Sequence, residues 1–482
     1  MKKLTSLLFL AVISGLSISA QDISYDAMSI PENLKKGAHI IKRYENIVYE
    51  VSDLEHATTN FHQVYTVMNG KGNRALVFRE DISKITQLDD VEIKVYNMFG
   101  KQIGKYKQKD MTTVASGSGL IEDGKTVYFR VPVSDYPVTV EYKYQTRHKE
   151  TLFYPPYLFI GFDESVQYSS FTAKVPKDLD IRYKEKNTNI KPEAGSDNKF
   201  KWYTWKVKNL EPIQYEEGNM PEIPHVRLAP NRFRLHDYEG DCSTWASFGK
   251  WYNELYKGRD VLPPKTVAFF QDMVKDISDP KEKARKLYEY LQKNFRYVSI
   301  QLGIGGLQPF SAEFTDQKKY GDCKSLSNYM KAALKCVGIK SHNVIIVAGI
   351  ARSGPDADFP SKYSNHVILC IPFQKDTVWL ECTSNTTDFG VLGAFTENRT
   401  AMLLADEGGI LVRTPSSKAV DNYFSAKTVV TLREDGSGTT STAFRVSGEF
   451  KETMNHYLDE KEDDKKEYVV SQLGFKQPVQ FV

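Results

Sequence analysis

Three side chains in the second half of the chain have the types and settings that acyl chemistry at a cysteine requires. Cys323 follows Tyr320-Gly321-Asp322, a tight turn that leads into an amphipathic helix. A helix N-terminus stabilises a thiolate because free backbone N–H groups and the helix dipole favour negative charge. The same N–H groups could hold the oxyanion that forms when the thiolate attacks a carbonyl. We therefore predict that Cys323 is a nucleophile.

The base has to come from elsewhere in the chain, and His366 is the candidate because it lies at the edge of a predicted strand. If the strands on either side of Phe373 and Gln374 form a hairpin, His366 stands opposite Glu381 on the same face. A carboxylate beside an imidazole fixes its tautomer and stabilises the imidazolium. The register therefore predicts that Cys323, His366 and Glu381 act together.

The remaining cysteines have plainer interpretations. Cys336 at a helix end and Cys370 in an apolar strand are expected to be small buried hydrophobic residues. Cys370 and Cys382 lie out of register in the proposed hairpin, which disfavours a disulfide between them. An odd number of cysteines, five, cannot all pair within the chain. Without a Cys-x-x-Cys pair or a cluster of His and Cys, a structural zinc site is not expected.

The elements that carry these residues follow from the period of the apolar side chains. Between residues 23 and 207 apolar and polar residues alternate, as in Val138-Thr139-Val140, and this predicts a large antiparallel β-sandwich. After the Pro-containing residues 221–230 the period becomes helical. Asp241 or Ser243 is the expected cap of the first of these helices.

A second helix is expected to start at Asp279-Pro280, and a third at Asp322 or Cys323. The third helix should end at Gly338 and bury the apolar residues that recur at helical spacing, which are Leu326, Met330, Ala333, Leu334 and Val337. Strands over residues 343–348, 365–371 and 378–382 follow. Helices before an antiparallel sheet are typical of an α+β domain.

Composition excludes some classes of function. Lys and Arg number 64 against 61 Asp and Glu, a net charge of +3, and the two signs are interleaved, so no nucleic-acid partner is expected. Lys2 and Lys3 precede an apolar stretch that ends at Leu16, and cleavage after Ala20 would complete an export signal. This stretch is too short to span a bilayer, so we expect a soluble periplasmic or secreted protein without a transmembrane segment.

The chain resembles the transglutaminase-like superfamily, and specifically exported bacterial proteins in which an N-terminal β-sandwich of unknown function precedes a transglutaminase-like core. The segments that carry the resemblance, in the order and spacing of that family, are Arg296-Tyr297-Val298-Ser299-Ile300, Gly305-Gly306-Leu307-Gln308-Pro309-Phe310, Tyr320-Gly321-Asp322-Cys323-Lys324, Ser364-Asn365-His366-Val367 and Trp379-Leu380-Glu381-Cys382-Thr383. In the sandwich, residues 202–210 and 248–251 also match.

The resemblance implies a papain-like site with Cys323 as nucleophile, His366 as general base and Glu381 as the third member. Glu381 departs from the family, in which this position is usually Asp, and the longer side chain could change the geometry or weaken the enzyme. Papain-like sites often use a glutamine upstream of the cysteine, which makes Gln308 a candidate donor to the oxyanion. No metal or organic cofactor is implied.

The expected organisation is multidomain. It comprises a signal peptide over residues 1–20, an all-β sandwich over 21–235, an α+β papain-like or transglutaminase-like core over 236–413, and a β-rich C-terminal segment over 414–482. Because relatives continue through a further β domain, this last segment is expected to be incomplete.

Two functions fit these expectations. The first is an exported cysteine enzyme that transfers or hydrolyses the acyl group of an amide in a protein or peptide, through a thioester. The second is an inactive binding module, in which the fold is kept for recognition and Cys323 is a relic. The sequence leaves the substrate and the oligomeric state open.

Overall fold

The computed structural model describes residues 23–115, 121–122, 124–218, 221–349 and 354–472. The predicted export signal over residues 1–20 lies outside the described residues. Within the described ranges, no helix has an apolar stretch long enough to cross a membrane.

The N-terminal part is built on one large sheet, as the alternating pattern predicts. Its eight strands, in spatial order, are Glu193–Ser196, Phe200–Leu210, Glu164–Pro176, Ile40–Val51, Ala57–Val67, Val138–His148, Thr86–Tyr96 and Gln102–Lys107. The expectation of a wholly antiparallel sheet is wrong, since Ile40–Val51 and Glu164–Pro176 run parallel. More than a hundred residues separate these two strands in sequence, and alternation carries no information on strand direction.

One face of this sheet is covered by further β structure, which gives the sandwich its second layer. A three-stranded sheet of Val77–Ile82, Lys125–Arg130 and Thr112–Ala115 covers one end. A two-stranded ribbon of Ile181–Lys186 and His225–Pro230 covers the other. Apolar clusters fill both interfaces, with Phe78 and Tyr142 in one and Phe171 and Trp205 in the other. The predicted all-β N-terminal domain is confirmed.

The large sheet also holds a fully buried ion pair. Lys42 Nζ lies 3.0 Å from Glu45 Oε1 and 3.3 Å from Glu164 Oε1. Glu45 accepts further hydrogen bonds from Ser169 Oγ and Gln63 Nε2, each at 2.7 Å. Burial works to lower the pKa of Lys42, but the two carboxylates outweigh it and raise that pKa above its usual value.

Helices follow the sandwich, in the order that the change of period predicts. After the hairpin Arg232–Leu235 and Tyr238–Asp241 they run over Trp245–Tyr256, Pro264–Met273, Pro280–Asn294, Ala312–Lys318 and Cys323–Cys336. A short helix at Gly393–Thr396 comes later, and another at Glu32–Lys35 precedes the first strand of the sandwich. Two two-residue bridges join Arg296–Tyr297 to Tyr320–Gly321 and Ile300–Gln301 to Ile121–Glu122.

The predicted starts are right for two of these helices, and the predicted cap is wrong for a third. Asp279 accepts from Lys281 N, and Asp322 accepts from Ser325 N. The helix over Trp245–Tyr256 is capped by Thr244 rather than by Asp241 or Ser243. Asp241 lies just before this cap and accepts from the Ser247 hydroxyl at 2.6 Å, so it supports the first turn through a side chain.

A five-stranded antiparallel sheet completes the core. In spatial order its strands are Thr377–Leu380, His366–Pro372, His342–Ile346, Thr400–Ala405 and Gly408–Arg413. The helix Cys323–Cys336 packs on this sheet, and its apolar face lies in one cluster with Leu287, Leu369 and Leu380. The sheet and the helix are therefore held at fixed positions by a continuous core.

The C-terminal part is β structure followed by helices. The strands Phe424–Leu432 and Gly438–Val446 form an antiparallel hairpin that turns around Asp435 and Gly436. Two helices over Glu449–Asp459 and Glu462–Gln472 come after this hairpin. Glu452 Oε1 accepts from Thr387 Oγ1 at 2.7 Å, which joins this segment to the core.

Candidate active site

Cys323 is the first residue of its helix, which we call the site helix (Cys323–Cys336). The preceding Asp322 is extended and caps the helix through its bond to Ser325 N at 3.0 Å. A Cβ on Gly321 would lie 2.9 Å from the Ser325 Cβ, so the turn into the helix needs glycine there. The turn thus fixes the thiol at the positive end of the helix dipole.

His366 begins the adjacent strand, which we call the histidine strand (His366–Pro372). The site helix holds this strand through the Ser327 hydroxyl, which donates to the Val367 carbonyl at 3.2 Å. On the other side, the Asn365 amide makes two bonds to the backbone of Ala348, accepting at 2.7 Å and donating at 3.2 Å. The backbone is therefore fixed on both sides of His366.

His366 and Glu381 are in contact, as predicted, but not by the predicted register. His366 Nε2 lies 3.0 Å from both carboxylate oxygens of Glu381. The hairpin pairs Leu369 with Leu380, which displaces the expected register by two residues. The turn closes through Phe373 N and the Asp376 carbonyl, one residue later than expected. A displacement of two residues keeps Glu381 on the same face, and its long side chain reaches the imidazole diagonally.

Several groups hold the carboxylate of Glu381. Thr383 donates to Glu381 Oε1 from its hydroxyl at 2.6 Å and from its backbone N–H at 3.2 Å. The Thr396 hydroxyl lies 3.5 Å from Glu381 Oε2. Tyr288, from the helix Pro280–Asn294, donates to the Glu381 carbonyl at 2.8 Å. The acid is positioned by both its backbone and its side chain.

The imidazole lies between the thiol and the carboxylate. The Cys323 side chain is a hydrogen-bond partner of His366, and the Nε2 atom of the same imidazole faces Glu381. Burial works to lower the pKa of His366, but the charge of Glu381 and the bonds to Cys323 and Glu381 raise it to about 10. Burial works to raise the pKa of Glu381, and the charge of His366 outweighs it, so that this pKa is lowered. Both groups are therefore charged at neutral pH.

The other four cysteines lie in different surroundings. Burial raises the pKa of Cys242 and of Cys370 to about 12 in each case. Burial also raises the pKa of Cys336 and of Cys382 above the usual value. All five cysteines are free, and Cys323 alone among them has an imidazole hydrogen-bond partner in the part of the chain that the structure describes.

Cys323 and His366 open onto a cleft of about 290 Å³. Gln308, the predicted oxyanion donor, is not among its lining residues, because the Gln308 amide donates instead to the Tyr238 hydroxyl at 2.9 Å. Gln301 lines the cleft in its place. Sequence separation gave no means of choosing between the two glutamines, since a turn over Gly303–Gly306 lies between them.

Sequence reasoning also missed groups that arrange the triad. The sequence gives a weak signal for the role of Thr383, since this residue follows Glu381 by two positions in one of the segments that carry the family resemblance. Phe395 carries none. Its ring meets the His366 ring edge to face, with centroids 5.2 Å apart, and it covers the imidazole from the short helix Gly393–Thr396. Trp379, two residues before Glu381, packs in an apolar core cluster and does not line the cleft.

No group of three or more His, Cys, Asp or Glu side chains within the described ranges is arranged to hold a metal ion. The site residues are those of nucleophilic catalysis: a thiol at a helix start, an imidazole beside it, and a carboxylate that orients the imidazole. Such an arrangement can attack a carbonyl and transfer a proton to the leaving group.

Two family models match the chain, one in each of its two large parts. Residues 267–383 match the transglutaminase-like superfamily, and this range includes all three members of the arrangement described above. Residues 55–214 match a domain of unknown function, DUF3857. None of the curated proteins compared with the chain matches it.

Among solved structures, a candidate protease from Parabacteroides distasonis is similar in fold. It is 11% identical, with a TM-score of 0.58 over 81% of this chain and 77% of the other. A candidate cysteine protease from Cytophaga hutchinsonii matches over 82% of this chain and 91% of the other, with 8% identity and a TM-score of 0.21. At these identities the first likeness concerns the fold alone.

Proposed function

Because the chain carries a transglutaminase-like core, preceded by a DUF3857 domain, we propose that it is a cysteine enzyme that transfers or hydrolyses acyl groups of amides. Cys323 is the proposed nucleophile, His366 the general base and acid, and Glu381 the group that orients His366. The substrate is proposed to be a protein or a peptide, met outside the cytoplasm.

One observation carries this proposal: His366 lies between the thiol of Cys323 and the carboxylate of Glu381, at the wall of a cleft. A buried histidine bonded only to a carboxylate would be an ordinary ion pair. The thiol bonded to the same imidazole, at the first residue of a helix, gives the pair a reacting partner.

The first half of the proposed reaction forms a thioester. Because the raised pKa of His366 keeps its imidazole protonated at neutral pH, the proton of the Cys323 thiol already resides on His366, and the thiolate attacks the carbonyl carbon of the amide. The oxyanion is stabilised by the N–H groups of Cys323 and Lys324, because the first N–H groups of a helix lack intrahelical acceptors and that of Ser325 is used by Asp322. The C–N bond then breaks, and His366 gives its proton to the leaving nitrogen.

The second half releases the acyl group. Water or a second amine attacks the thioester carbonyl, His366 takes a proton from this nucleophile, and the C–S bond breaks. The sulfur leaves as a thiolate and His366 keeps the proton, so that the starting pair of thiolate and imidazolium is regenerated. Water gives hydrolysis and an amine gives transfer, and the same three residues serve both outcomes.

The test is a comparison of the full chain with its Cys323→Ala variant on a mixture of peptides and proteins. Both are incubated in water enriched in ¹⁸O, and products are identified by mass spectrometry. Hydrolysis places ¹⁸O in a new carboxylate, whereas transfer gives an isopeptide or amide without the label. We expect products of one kind with the wild-type protein and none with Cys323→Ala.

Identical product profiles for the two proteins would contradict the proposal. Retention of particular peptides by both proteins, without any new product, would instead support the alternative of a binding module.

A further inference from the structure

The cleft beside Cys323 is lined by basic groups. Lys324, Lys362 and His366 all contribute to its wall, whereas its lining within the described residues includes no Asp or Glu. A pocket that carries charge of one sign favours ligands of the other sign, because its walls screen the field less than water does.

Two of these three basic groups already have a counter-ion. Lys324 forms a buried ion pair with Asp322, the residue that caps the site helix. His366 forms one with Glu381. Lys362 differs from both, because its ammonium donates to the Ser364 carbonyl and forms no ion pair with any carboxylate in the ranges that the structure describes. The cleft wall therefore carries one positive charge that the protein does not balance.

Lys362 is also partly buried, which makes an unbalanced charge costly. Burial lowers the pKa of Lys362 to about 8, so most molecules carry the charge at neutral pH. A carbonyl oxygen offers only a partial negative charge, whereas a carboxylate would restore the interactions that the ammonium loses on leaving water. An anion in the cleft is the natural complement of this lysine.

We propose that Lys362 binds a carboxylate of the substrate, so that the preferred substrates are peptides with a carboxylate close to the amide that Cys323 attacks. This inference rests on the proposed function, since it concerns the same cleft. Lys362 would act in substrate recognition, and the three residues of the proposed mechanism would carry out the bond changes.

Two alkylating reagents of similar size test this selectivity without knowledge of the substrate. Iodoacetate carries a carboxylate where iodoacetamide carries an amide, and each forms a C–S bond with Cys323 and releases iodide. The ratio of the two rates at Cys323, divided by the same ratio for N-acetylcysteine, measures the preference for an anion. The positive charge of His366 also affects this ratio, but its contribution is the same in proteins that differ only at Lys362.

The variants are Lys362→Met, which removes the charge, Lys362→Arg, which keeps it, and Lys375→Met as a matched control. Lys375 lies exposed in the turn after the histidine strand, away from the cleft lining. We expect the normalised ratio to fall roughly 5- to 10-fold in Lys362→Met and to stay near the wild-type value in the other two.

An unchanged ratio in Lys362→Met would overturn the inference, as would a fall of the same size in Lys375→Met. A loss of structure at the Ser364 carbonyl would slow both reagents alike and leave the ratio unchanged, which separates that role from anion binding. Slow labelling by both reagents in the wild-type protein would instead contradict the proposed function itself.

A second measurement needs no variant and so does not depend on folding of Lys362→Met. N-acetylglycine and N-acetylglycinamide both contain an amide, and only the first carries a carboxylate. We expect N-acetylglycine to protect Cys323 of the wild-type protein from iodoacetamide at a roughly 5-fold lower concentration. Equal protection by the two compounds would contradict carboxylate binding.

Discussion

Two buried ion pairs, one in each large part of the molecule, have similar chemistry and different surroundings. In the sandwich, Lys42 and Glu45 are both almost fully buried and are enclosed by hydrogen-bonding side chains. In the core, His366 and Glu381 are equally buried, but His366 also faces the thiol of Cys323 and a cleft. Burial and a shifted pKa occur in both places.

The comparison teaches that a buried charge pair does not mark a reactive site unless it is joined to a nucleophile and to a space for a substrate. The sandwich pair lies on one strand and is enclosed by polar groups of the two neighbouring strands, which are Glu164 and Ser169 on one side and Gln63 on the other. The imidazole of the core pair is also a hydrogen-bond partner of the thiol. The first pair should therefore govern stability alone, and the second should govern both stability and reactivity.

The largest expected effect is on the sandwich pair. Glu45→Ala leaves Lys42 with Glu164 as its counter-ion and leaves the buried Ser169 hydroxyl and the Gln63 amide without their acceptor, so we expect the free energy of unfolding to fall by about 3 kcal/mol. The rate of Cys323 alkylation in the folded protein should not change. Denaturant unfolding and iodoacetamide labelling measure the two quantities.

Glu50→Ala on the same strand is the matched control, because the Glu50–Lys174 pair is partly exposed. It should cost at most about 1 kcal/mol. Equal losses from the two substitutions, or slower Cys323 labelling in Glu45→Ala, would break the proposed distinction between the two regions.

A smaller effect is expected from pH, through the core pair. The pKa of His366 is raised from 6.5 to about 10, so its ion pair stabilises the fold fully below pH 6.5 and loses this contribution as the pH rises toward 10. Glu381→Gln removes the carboxylate that raises this pKa. The melting temperature of the variant should therefore fall less between pH 6.5 and 10 than that of the wild-type protein.

Parallel pH profiles of the two proteins over that range would show that Glu381 does not raise the pKa of His366. The comparison uses the slope of melting temperature against pH in each protein. The lysines and tyrosines titrate in both proteins, so their contribution cancels in the difference between the two slopes.

The smallest effect is expected from Thr383, which acts on the triad through Glu381. Thr383→Val removes the hydroxyl bond of 2.6 Å and should slow Cys323 alkylation by roughly 3- to 10-fold, with Thr383→Ser restoring most of the rate. Thr396→Val removes only a contact of 3.5 Å and should change the rate less. An equal effect of the two valine variants would assign no special positioning role to Thr383.

The sequence predicted which side chains meet at the cleft better than it predicted the strand register that brings them together. The turn residues before the helix were enough to predict the position of Cys323. The prediction that His366 and Glu381 share one face of the sheet holds despite the error of two residues in register, because side chains along a strand alternate with a period of two. The error itself came from the turn. Whether Phe373 and Gln374 or Gln374 and Lys375 are its two central residues depends on backbone hydrogen bonds that the apolar pattern does not encode.

Other features depend on contacts between distant residues and were beyond reach for that reason. The parallel pairing of Ile40–Val51 with Glu164–Pro176 joins strands that look alike in either direction. Gln308 could not be separated from Gln301, because the intervening turn decides which amide faces the cleft. Lys362 was invisible as an unbalanced charge, since the sequence does not show which lysines lack acidic neighbours in space.

The most direct test of the account is the alkylation rate of all five cysteines in the folded protein at neutral pH. Quantitative mass spectrometry after limited exposure to iodoacetamide gives each rate separately. We predict that Cys323 reacts roughly 100-fold faster than Cys242, Cys336, Cys370 and Cys382, and that His366→Ala removes most of this difference. Equal and slow labelling of all five cysteines in the wild-type protein would contradict the account.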